Sequence, residues 1–416
     1  MSTSRRSVDT DAVERIAVLN ANGDRNLLGR QFDAMARDAS SFLRATVHLF
    51  RDRLATISLP PSPLAFGCGD LHIENFGAYL ADNRLAYFDQ SEFGEAALMP
   101  VAAEMVRFLA SIMVALRLHE PDDLDPKRSA KQALEAYAQA LAEGKPLWIE
   151  RDLARGTIED LVSGVSRRSR RDELDLFTRS GRRGRRKLLR DGRRSAPLTK
   201  EGRAIEGVVK NLFGAIGKER GERGFWKLRD LAPCAPAKDS LGRPRYIALI
   251  KGHGDPDGNF LLEIKSAGPS AVPPAAETLE AESAAERVVF VQRLMQARSP
   301  AFLQPAILLD RPFVFHELQP AEDRLEIDAL LAKPRRFAAT IESCARIVAW
   351  NQLRAAGRKG ASDVDTLIDF AMKDEWQREL LAAAGECAAM VERDYASFET
   401  AWRKRDGCLS ALASLR

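Results

Sequence analysis

Apolar residues recur at helical spacing along much of the chain. From Asn26 to about Ile57 they lie three and four residues apart, which predicts two helices. Prolines at 60, 61 and 63 end this region and lead into a short strand at 64–66. Further helices are predicted at 100–118, 127–143 and 157–166, and an Asp-Pro pair at 125–126 caps the second of them.

Shorter apolar runs interrupt the helical pattern. Ala78-Tyr79-Leu80 and residues 84–88 flank the turn Ala81-Asp82-Asn83, which predicts a hairpin. From Phe225 the period changes more generally. The predicted elements are strands at 225–228, 245–251 and 259–265, a helix at about 276–297, strands at 306–309 and 313–317, and helices within 322–357 and 363–412. The pattern predicts an α+β protein with a mostly helical part and a small antiparallel sheet.

Composition limits the class of protein. A chain of 416 residues with 45% hydrophobic residues is long enough for about two or three domain-sized units with a real core. The longest apolar run, Phe108–Leu116, is too short to span a bilayer, and no apolar region follows the polar N-terminus. Five scattered cysteines without Cys-x-x-Cys pairs indicate reduced thiols. We therefore expect a cytoplasmic protein without a signal peptide or a membrane partner.

Positive charge is concentrated in one segment. Residues 167–194 contain 13 Lys and Arg residues against 4 Asp and Glu residues, whereas the whole chain has a net charge of +4. Like charges this close repel one another, which predicts a solvated or partly disordered linker. Nucleic-acid binding is the alternative interpretation, but Phe177 is the one aromatic residue there for base stacking, so we do not expect a nucleic-acid partner.

The stretch 67–77, Gly-Cys-Gly-Asp-Leu-His-Ile-Glu-Asn-Phe-Gly, combines groups that phosphoryl transfer uses. Asp70 and Asn75 are five residues apart, and Asp89 follows the second strand of the predicted hairpin. The loop can turn back within five residues and the hairpin returns to it, so we expect all three side chains at one cavity. Asp70 would orient an attacking hydroxyl, while Asn75 and Asp89 would hold Mg²⁺ on the phosphates of ATP.

Two motifs carry a resemblance to known families. Gly-Asp-Leu-His-x-x-Asn at 69–75 resembles the catalytic loop of aminoglycoside-phosphotransferase-like kinases, and Phe88-Asp89 resembles their metal-binding aspartate. More closely, residues 68–77 and 287–296 resemble two motifs of domain-of-unknown-function family 2252, a bacterial group in the kinase-like superfamily. The likeness covers roughly residues 30 to 405. It implies a two-lobed protein-kinase-like fold in permuted order, because the catalytic-loop segment precedes the strand-rich block.

The resemblance implies a division of the chain into five parts. These are a polar N-terminal tail (1–24), a first part of the helical lobe with catalytic loop and hairpin (25–165), the basic linker (166–196), a small nucleotide-binding β lobe with one long helix (197–320), and C-terminal helices that complete the large lobe (321–416).

A lysine at the end of a strand is the candidate phosphate contact. Lys265 closes the predicted strand 259–265, where the resemblance implies a lysine over the ATP phosphates. A glutamate of the following helix would fix it. Glu280, Glu282 and Glu286 are the candidates, and we favour the last two because they lie four apart on one helix face.

The remaining nucleotide contacts are less well marked. The glycine-rich loop of the family retains only Ser240 and Gly242, which predicts a weaker grip on ATP or help from another group. The adenine-contacting hinge is expected at 315–319, with contacts mostly from the backbone of residues such as Glu317 and Leu318.

Several further side chains have supporting roles in this interpretation. Glu92 stands where the family has the first aspartate of an Asn-Asp-Phe-Asp-Glu stretch and is a third candidate metal ligand, whereas Gly94 removes the second aspartate. Glu104 sits where related kinases carry an acid that braces the catalytic loop, and His72 lies within that loop. Arg44 could reach a phosphate, although it could equally be a solvated helix arginine.

The leading hypothesis is an ATP- and Mg²⁺-dependent phosphotransferase acting on a hydroxyl of a small molecule or protein. A pseudokinase or nucleotide-binding regulatory module is the main alternative, because the glycine-rich loop is degraded. Nucleotidyl transfer uses similar groups and stays open. A metallophosphoesterase would need a Gly-Asn-His stretch and further metal-binding histidines, which the sequence lacks.

Overall fold

The computed structural model describes residues 11–21, 25–121, 123–181, 184–192, 194–234, 244–272, 281–404 and 407–412. The α-helices within these ranges are α1 (Ala12–Leu19), α2 (Arg25–Met35), α3 (Ala39–Ala45), α4 (Val47–Leu54), α5 (Val101–His119), α6 (Pro126–Ala142), α7 (Gly156–Arg167), α8 (Arg170–Phe177), α9 (Lys200–Glu219), α10 (Ala284–Met295), α11 (Ile327–Leu331), α12 (Pro334–Ala355), α13 (Val364–Ala371), α14 (Glu375–Arg403) and α15 (Gly407–Leu412).

The strands are β1 (Leu64–Gly67), β2 (Phe76–Leu80), β3 (Ala86–Gln90), β4 (Ala97–Pro100), β5 (Ile149–Glu150), β6 (Thr178–Ser180), β7 (Arg186–Leu188), β8 (Leu228–Pro233), β9 (Arg245–Ile250), β10 (Phe260–Ser266), β11 (Gln304–Leu308) and β12 (Arg311–Glu317). Every pairing between them is antiparallel. The predicted α+β class with antiparallel sheets is therefore confirmed.

One five-stranded sheet has the order β11-β12-β10-β9-β8, with β10 at its centre. Alternate residues of a strand face opposite sides of a sheet. Phe260, Leu262 and Ile264 of β10 accordingly pack on one side with α9, in a cluster that also contains Phe213 and Trp226. The opposite side carries the charged residues of the strand as well as Leu261, which packs in a separate cluster.

The helical part is organised around α5. Residues 101–116 of this helix are buried on every side, which is typical of a central helix surrounded by other helices. Helices α6 and α14 pack against it, and α12 packs against α6. Residues 12–167 and 284–409 contribute almost all of the large hydrophobic cluster that results.

Most predicted elements of the first half are present. The hairpin forms with β2 paired to β3, and Asp125 caps α6 by accepting a hydrogen bond from the Arg128 N–H at 2.6 Å. Two predictions differ from the structure. Residues 25–54 form three helices rather than two, and the predicted polar tail includes α1, whose Ile16 is buried in the main core.

The sheet region also differs in part from the prediction. It contains α9 as well as α10, although one long helix was expected, and the predicted helix at 276–297 is described only from residue 284. The strand predicted at 225–228 begins at Leu228, because Phe225 and Trp226 instead pack their rings against other aromatic residues of the sheet. Among the described residues, no helix combines the length and the apolar character that crossing a bilayer requires.

The basic segment forms regular secondary structure where the structure describes it, so the prediction of a partly disordered linker is wrong for these residues, although many of them are exposed to solvent as predicted. It contains α8, β6 and β7, and Leu174, Phe177 and Leu188 pack against the face of the five-stranded sheet that α9 leaves uncovered. Its arginines pair with acids: Arg168 with Asp323, Arg170 with Glu317, Arg186 with Asp175 and Asp257, Arg190 with Asp230, and Arg194 with Glu322. Distant acidic residues thus offset the local charge repulsion.

Replacing Arg186 tests whether these ion pairs order the basic segment, because its side chain is only 2% exposed and pairs with two carboxylates. We expect Arg186→Gln to open the β6–β7 hairpin and to speed native tryptic cleavage after Lys187 by about tenfold. Limited proteolysis followed by mass spectrometry measures this rate. Arg179→Gln, an exposed position on the same hairpin, is the matched control and should cleave like the wild type; equal rates for the two variants would contradict the proposed role of Arg186.

Candidate functional site

A pocket lies between the five-stranded sheet and the helical part. It encloses about 1040 Å³ of open space, part of it continuous with solvent, and it is lined by the loop after β1, the stretch after β3, and strands β10 and β12 with helix α10. The charged residues of its lining are Arg44, Asp70, Glu74, Glu92, Glu95, Lys265 and Arg324. A pocket with both acidic and basic side chains can bind anionic ligands together with cations.

Close packing requires two glycines here, Gly67 at the end of β1 and Gly69 in the loop that follows. A Cβ at Gly67 would lie 2.7 Å from the Glu104 carboxyl carbon, and a Cβ at Gly69 would lie 2.0 Å from the Glu95 carbonyl oxygen. Gly69 also has a φ of +80°, which disfavours residues with a side chain. The loop therefore passes directly against α5 and against the stretch after β3.

Glu104 of α5 contacts the backbone of this loop. Its buried carboxylate accepts hydrogen bonds from the N–H groups of Cys68 at 2.9 Å and Gly69 at 3.3 Å. Burial raises the pKa of Glu104, while Arg51 and the hydrogen bonds from the loop oppose this shift. The interaction fixes the backbone immediately before Asp70.

Asp70 faces the pocket and is held from behind by Arg107 of α5. Arg107 donates from Nε to the Asp70 Oδ1 at 2.8 Å and also from Nη2 to the same oxygen. The arginine side chain is completely buried and lies with its guanidinium carbon 4.8 Å from the centre of the Phe50 ring. Both bonds use Oδ1, so Arg107 orients the carboxylate without occupying Oδ2.

Asn75 is fully buried and is not part of the pocket lining. Its Nδ2 donates to the carbonyl of Asp70 at 2.9 Å and to that of Glu92 at 3.3 Å, and its Oδ1 accepts the Glu92 N–H at 2.8 Å. The side chain that was predicted as a metal ligand thus joins the loop after β1 to the stretch after β3. Its contacts in the structure are those of a positioning residue.

Asp89 also lies behind the pocket lining rather than on it. It is 5% exposed, and its Oδ1 accepts hydrogen bonds from Asn351 Nδ2 at 2.7 Å and from the Gln90 N–H at 2.7 Å. Burial raises the pKa of Asp89 to about 6, although Arg354 and Asn351 act in the opposite direction. Its side chain connects β3 to α12.

Glu92 and Lys265 meet in the pocket. One carboxyl oxygen of Glu92 pairs with the Lys265 Nζ, and the other lies 2.6 Å from Nη1 of Arg324. Burial alone would disfavour the charged form, but Lys265, Arg324 and Arg245 outweigh it and hold the pKa of Glu92 well below its usual range. The carboxylate is ionised at neutral pH.

The predicted partner of Lys265 is corrected by this contact. Glu286 accepts a hydrogen bond from the Glu282 N–H at 2.8 Å, while its own N–H donates to Ser283 at 3.2 Å. These bonds cap the N-terminus of α10. The expectation that Glu282 or Glu286 fixes Lys265 is therefore wrong, and Glu280 lies outside the described residues.

Arg44 and His72, for which supporting roles were predicted, differ in their surroundings. Arg44 lines the pocket but pairs with Glu74, and the Glu74 carboxylate lies 3.4 Å from the Ile327 N–H. Burial lowers the pKa of His72 to about 3, with Asp70 opposing the shift, so its imidazole is neutral at physiological pH. The side chains of Arg44 and His72 line the same pocket as Asp70.

Of the expected hinge at 315–319, His316 lines this pocket, whereas Glu317 and Leu318 do not. The Glu317 N–H donates to the Ala301 carbonyl at 2.7 Å and the Leu318 N–H to Leu261 at 2.9 Å. Both residues line a smaller cavity, of about 370 Å³, beside Arg168. The predicted backbone contacts with adenine therefore cannot use these two N–H groups, and Ser240 and Gly242 lie outside the described residues.

Sequence reasoning missed Arg107, Arg324 and Asn351. Arg107 could have been predicted from the sequence, because it is one of only two charged residues in the buried stretch of α5 and lies three positions after Glu104. Arg324 follows the last strand of the sheet, and Asn351 lies in the C-terminal third of α12. Neither has a local pattern that separates it from an ordinary surface or core residue.

The donor set of the pocket fits a Mg²⁺ ion that shares its ligands with phosphates. The described residues contain no group of three or more His, Cys, Asp or Glu side chains that converge on one point. Magnesium is commonly held by one or two carboxylates together with substrate phosphates and waters. Asp70 and Glu92 supply carboxylates on the pocket lining, which meets this requirement.

The sequence comparisons agree with the two motifs. Residues 24–401 match the family described as "Uncharacterized protein conserved in bacteria (DUF2252)". This range is most of the chain, so the protein belongs to that bacterial family. No curated protein and no solved structure matched the chain.

Asp89→Asn separates a structural role for this residue from a metal-binding one. Because the folded pKa of about 6 exceeds the ordinary 3.8, the native state holds the proton more tightly, and stability is lost as pH rises through this window. The variant has no such titration and keeps an oxygen acceptor for Asn351. We expect its stability relative to wild type to increase between pH 4 and pH 7.5 by about 2 kcal/mol.

Urea denaturation of both proteins at pH 4 and pH 7.5 measures this change. A stability difference that is the same at both pH values would contradict the assigned protonation of buried Asp89.

Proposed function

We propose that this protein is an ATP- and Mg²⁺-dependent phosphotransferase that acts on a hydroxyl group of a small molecule or protein. The observation that carries the proposal is the meeting of Asp70, Glu92 and Lys265 in one pocket, although they come from segments nearly 200 residues apart. A carboxylate for the hydroxyl, a carboxylate for the metal and an ammonium for the phosphates are the groups that phosphoryl transfer needs.

The architecture around Lys265 supports a kinase-like small lobe. Three antiparallel strands, β8 to β10, are followed by α10 and then by β11 and β12, and the lysine lies near the end of the third strand. This is the element order that the resemblance implies for the nucleotide-binding lobe. Val288 and Gln292 of α10 line the pocket from the same side as Lys265. The catalytic loop comes first in the chain, as a permuted arrangement requires.

Asp70 has the role of the residue that contacts the acceptor. Its bonds to buried Arg107 fix the direction of the carboxylate, so it can orient a substrate hydroxyl and accept its proton. Glu104 and Asn75 position the loop that carries it. Lys265 would bind phosphate oxygens as a point charge.

Glu92, rather than Asp89, is the carboxylate that we assign to the metal. Its side chain lines the pocket, whereas Asp89 is bonded to Asn351 behind it. Glu92 would hold Mg²⁺ together with the phosphates, and the ion would supply charge neutralisation for the transferring phosphoryl group. Asn75 then acts by positioning the backbone of both residues.

Asp70→Asn tests the catalytic assignment. The amide cannot accept the proton of the acceptor hydroxyl, so we expect Mg²⁺-dependent ATP turnover to fall by about a hundredfold or more. The substitution also leaves the buried Arg107 without its carboxylate, so we expect a lower melting temperature and compare turnover at a temperature at which the variant is folded. Turnover is measured with γ-labelled ATP and a panel of hydroxyl-bearing acceptors.

Asp365→Asn on α13 is the matched control, because Asp365 is exposed and lies outside the pocket. Wild-type turnover in Asp70→Asn would rule out its assigned role. Mass spectrometry of the labelled product distinguishes phosphoryl from nucleotidyl transfer, which would use the same groups with the nucleotide reversed.

A nucleotide-binding module without turnover is the second candidate, and Gly94 favours it. This glycine lines the pocket at the position where the family resemblance implies an aspartate. A Cβ at Gly94 would meet nothing within 4 Å, so the missing carboxylate leaves open space rather than a rearranged contact. The site has one acidic group fewer for a metal than the resemblance implies.

Gly94→Asp restores a carboxylate where there is room for it. We expect the affinity for Mg²⁺ in the presence of ATP to increase severalfold, because the pocket gains a hard oxygen ligand. Calorimetric titration of Mg²⁺ into the ATP-saturated protein measures this. Gly94→Asn is the control of equal size, and an identical effect of both substitutions would show that charge at this position is irrelevant.

A further inference from the structure

Glu92 holds two cations that come from different parts of the chain. One of its oxygens pairs with Lys265 on β10 and the other with Arg324, which follows the sheet, at 2.6 Å. All three side chains line the pocket that contains Asp70. A single carboxylate therefore occupies a site that offers two positive charges, and its own charge offsets only one of them.

The segment of Arg324 is held in place by backbone contacts. Arg324 forms a bridge with Gly77, and the N–H of Leu325 donates to β2 at 2.9 Å. A Cβ at Gly77 would lie 3.2 Å from the Arg324 Cγ, so the glycine gives this segment its close approach. The preceding Asp323 accepts two hydrogen bonds from Arg168, at 2.7 and 2.6 Å. These contacts preorganise the arginine at the edge of the pocket.

The Arg324 guanidinium retains an unsatisfied donor. Its Nε is buried and has no hydrogen-bond partner in the described part of the chain. A buried N–H without an acceptor is costly, so a ligand oxygen at this point would be favourable. A terminal phosphate carries three acceptor oxygens, which can serve an arginine fork and a lysine at once.

A second cation in the pocket would also compensate for the degraded glycine-rich loop. Only Ser240 and Gly242 remain of the glycine-rich loop, so few flexible backbone N–H groups are expected to cradle phosphate. Side-chain donors must then supply more of the binding. Arg324 is the pocket residue best suited to this, because it shares the Glu92 carboxylate with Lys265, whereas Arg44 pairs with Glu74.

We propose that Arg324 and Lys265 form a clamp for the phosphates of the nucleotide, and that Glu92 occupies this clamp until phosphate displaces it. The inference rests on the proposed function, since it names the groups that bind ATP in that pocket. No covalent bond forms or breaks: contacts between carboxylate and cations are exchanged for contacts between phosphate and the same cations. Displacement also frees the Glu92 carboxylate as an oxygen ligand for Mg²⁺.

An internal competitor has a consequence that an ordinary binding residue does not have. The apparent affinity of a ligand is its intrinsic affinity multiplied by the fraction of protein molecules whose site is available. Removing the charge of Glu92 therefore strengthens the binding of polyphosphate in the absence of metal, whereas removing Arg324 weakens it. If Glu92 only stabilised the pocket, replacing it would weaken the binding of polyphosphate.

The experiment is calorimetric titration of the full chain with inorganic tripolyphosphate and with ATP, in EDTA and at fixed ionic strength. The proteins compared are the wild type, Glu92→Gln, Arg324→Gln and Arg324→Lys. We expect Glu92→Gln to bind tripolyphosphate about tenfold more tightly and Arg324→Gln about tenfold more weakly. Arg324→Lys should fall between the wild type and Arg324→Gln, because it keeps the charge and loses the planar fork.

Arg336→Gln is the matched control, since Arg336 lies on α12 outside the pocket and pairs with the exposed Asp160. It should leave both affinities unchanged. Equal tripolyphosphate affinity in the wild type, Glu92→Gln and Arg324→Gln overturns the clamp, and ATP turnover by the wild type would then leave the proposed function standing.

The opposite combination is equally informative. The expected order of affinities without phosphate transfer to any acceptor supports the clamp and rejects the phosphotransferase in favour of a nucleotide-binding module. Failure of the wild type and of Glu92→Gln to bind either ligand overturns the clamp, and the proposed function falls with it if ATP binding and turnover also fail when Mg²⁺ is present. If circular dichroism shows that Glu92→Gln is unfolded, Arg324→Gln decides: wild-type affinity in that variant overturns the clamp.

Discussion

The buried amide of Asn75 is the group on which both carboxylates of the pocket depend for their position. Its nitrogen binds the carbonyls of Asp70 and Glu92, and its oxygen binds the N–H of Glu92. One side chain thus sets the distance between the segment of Asp70 and the segment of Glu92. An amide suits this task, because it donates and accepts at once and carries no charge whose burial must be compensated.

The charges around that amide are buried in pairs. Glu104 and Arg107 lie on the same buried helix, and each reaches the loop after β1 at a different point. Arg51 completes the group by donating to the Gly69 carbonyl at 2.7 Å. Buried ion pairs of this kind contribute little net stability, because desolvation offsets their attraction. Their value lies in fixing one loop conformation, which a purely apolar interface with α5 would leave free to slide.

Local features of the fold could be predicted from the sequence, and contacts between distant segments could not. The hairpin around residues 81–83, the cap at Asp125 and the lysine near the end of β10 each have a local pattern. Ser283-x-x-Glu286 is also a capping pattern, which would have excluded Glu286 as the partner of Lys265. By contrast, the acids that pair with the basic segment come from residues up to 155 positions away, so its order could not be read from its own charge.

The difference between Asp89 and Glu92 shows why spacing alone did not predict which of the candidate carboxylates lines the pocket. Strand β3 continues through Gln90, and both Asp89 and Gln90 contact Asn351 of α12 within the core. Glu92 lies just beyond the strand end, where the chain turns into the pocket. Its two oxygens then meet cations from β10 and from the segment after the sheet. A motif fixes the order of the candidate residues along the chain. The point at which the strand ends decides which of them faces the pocket.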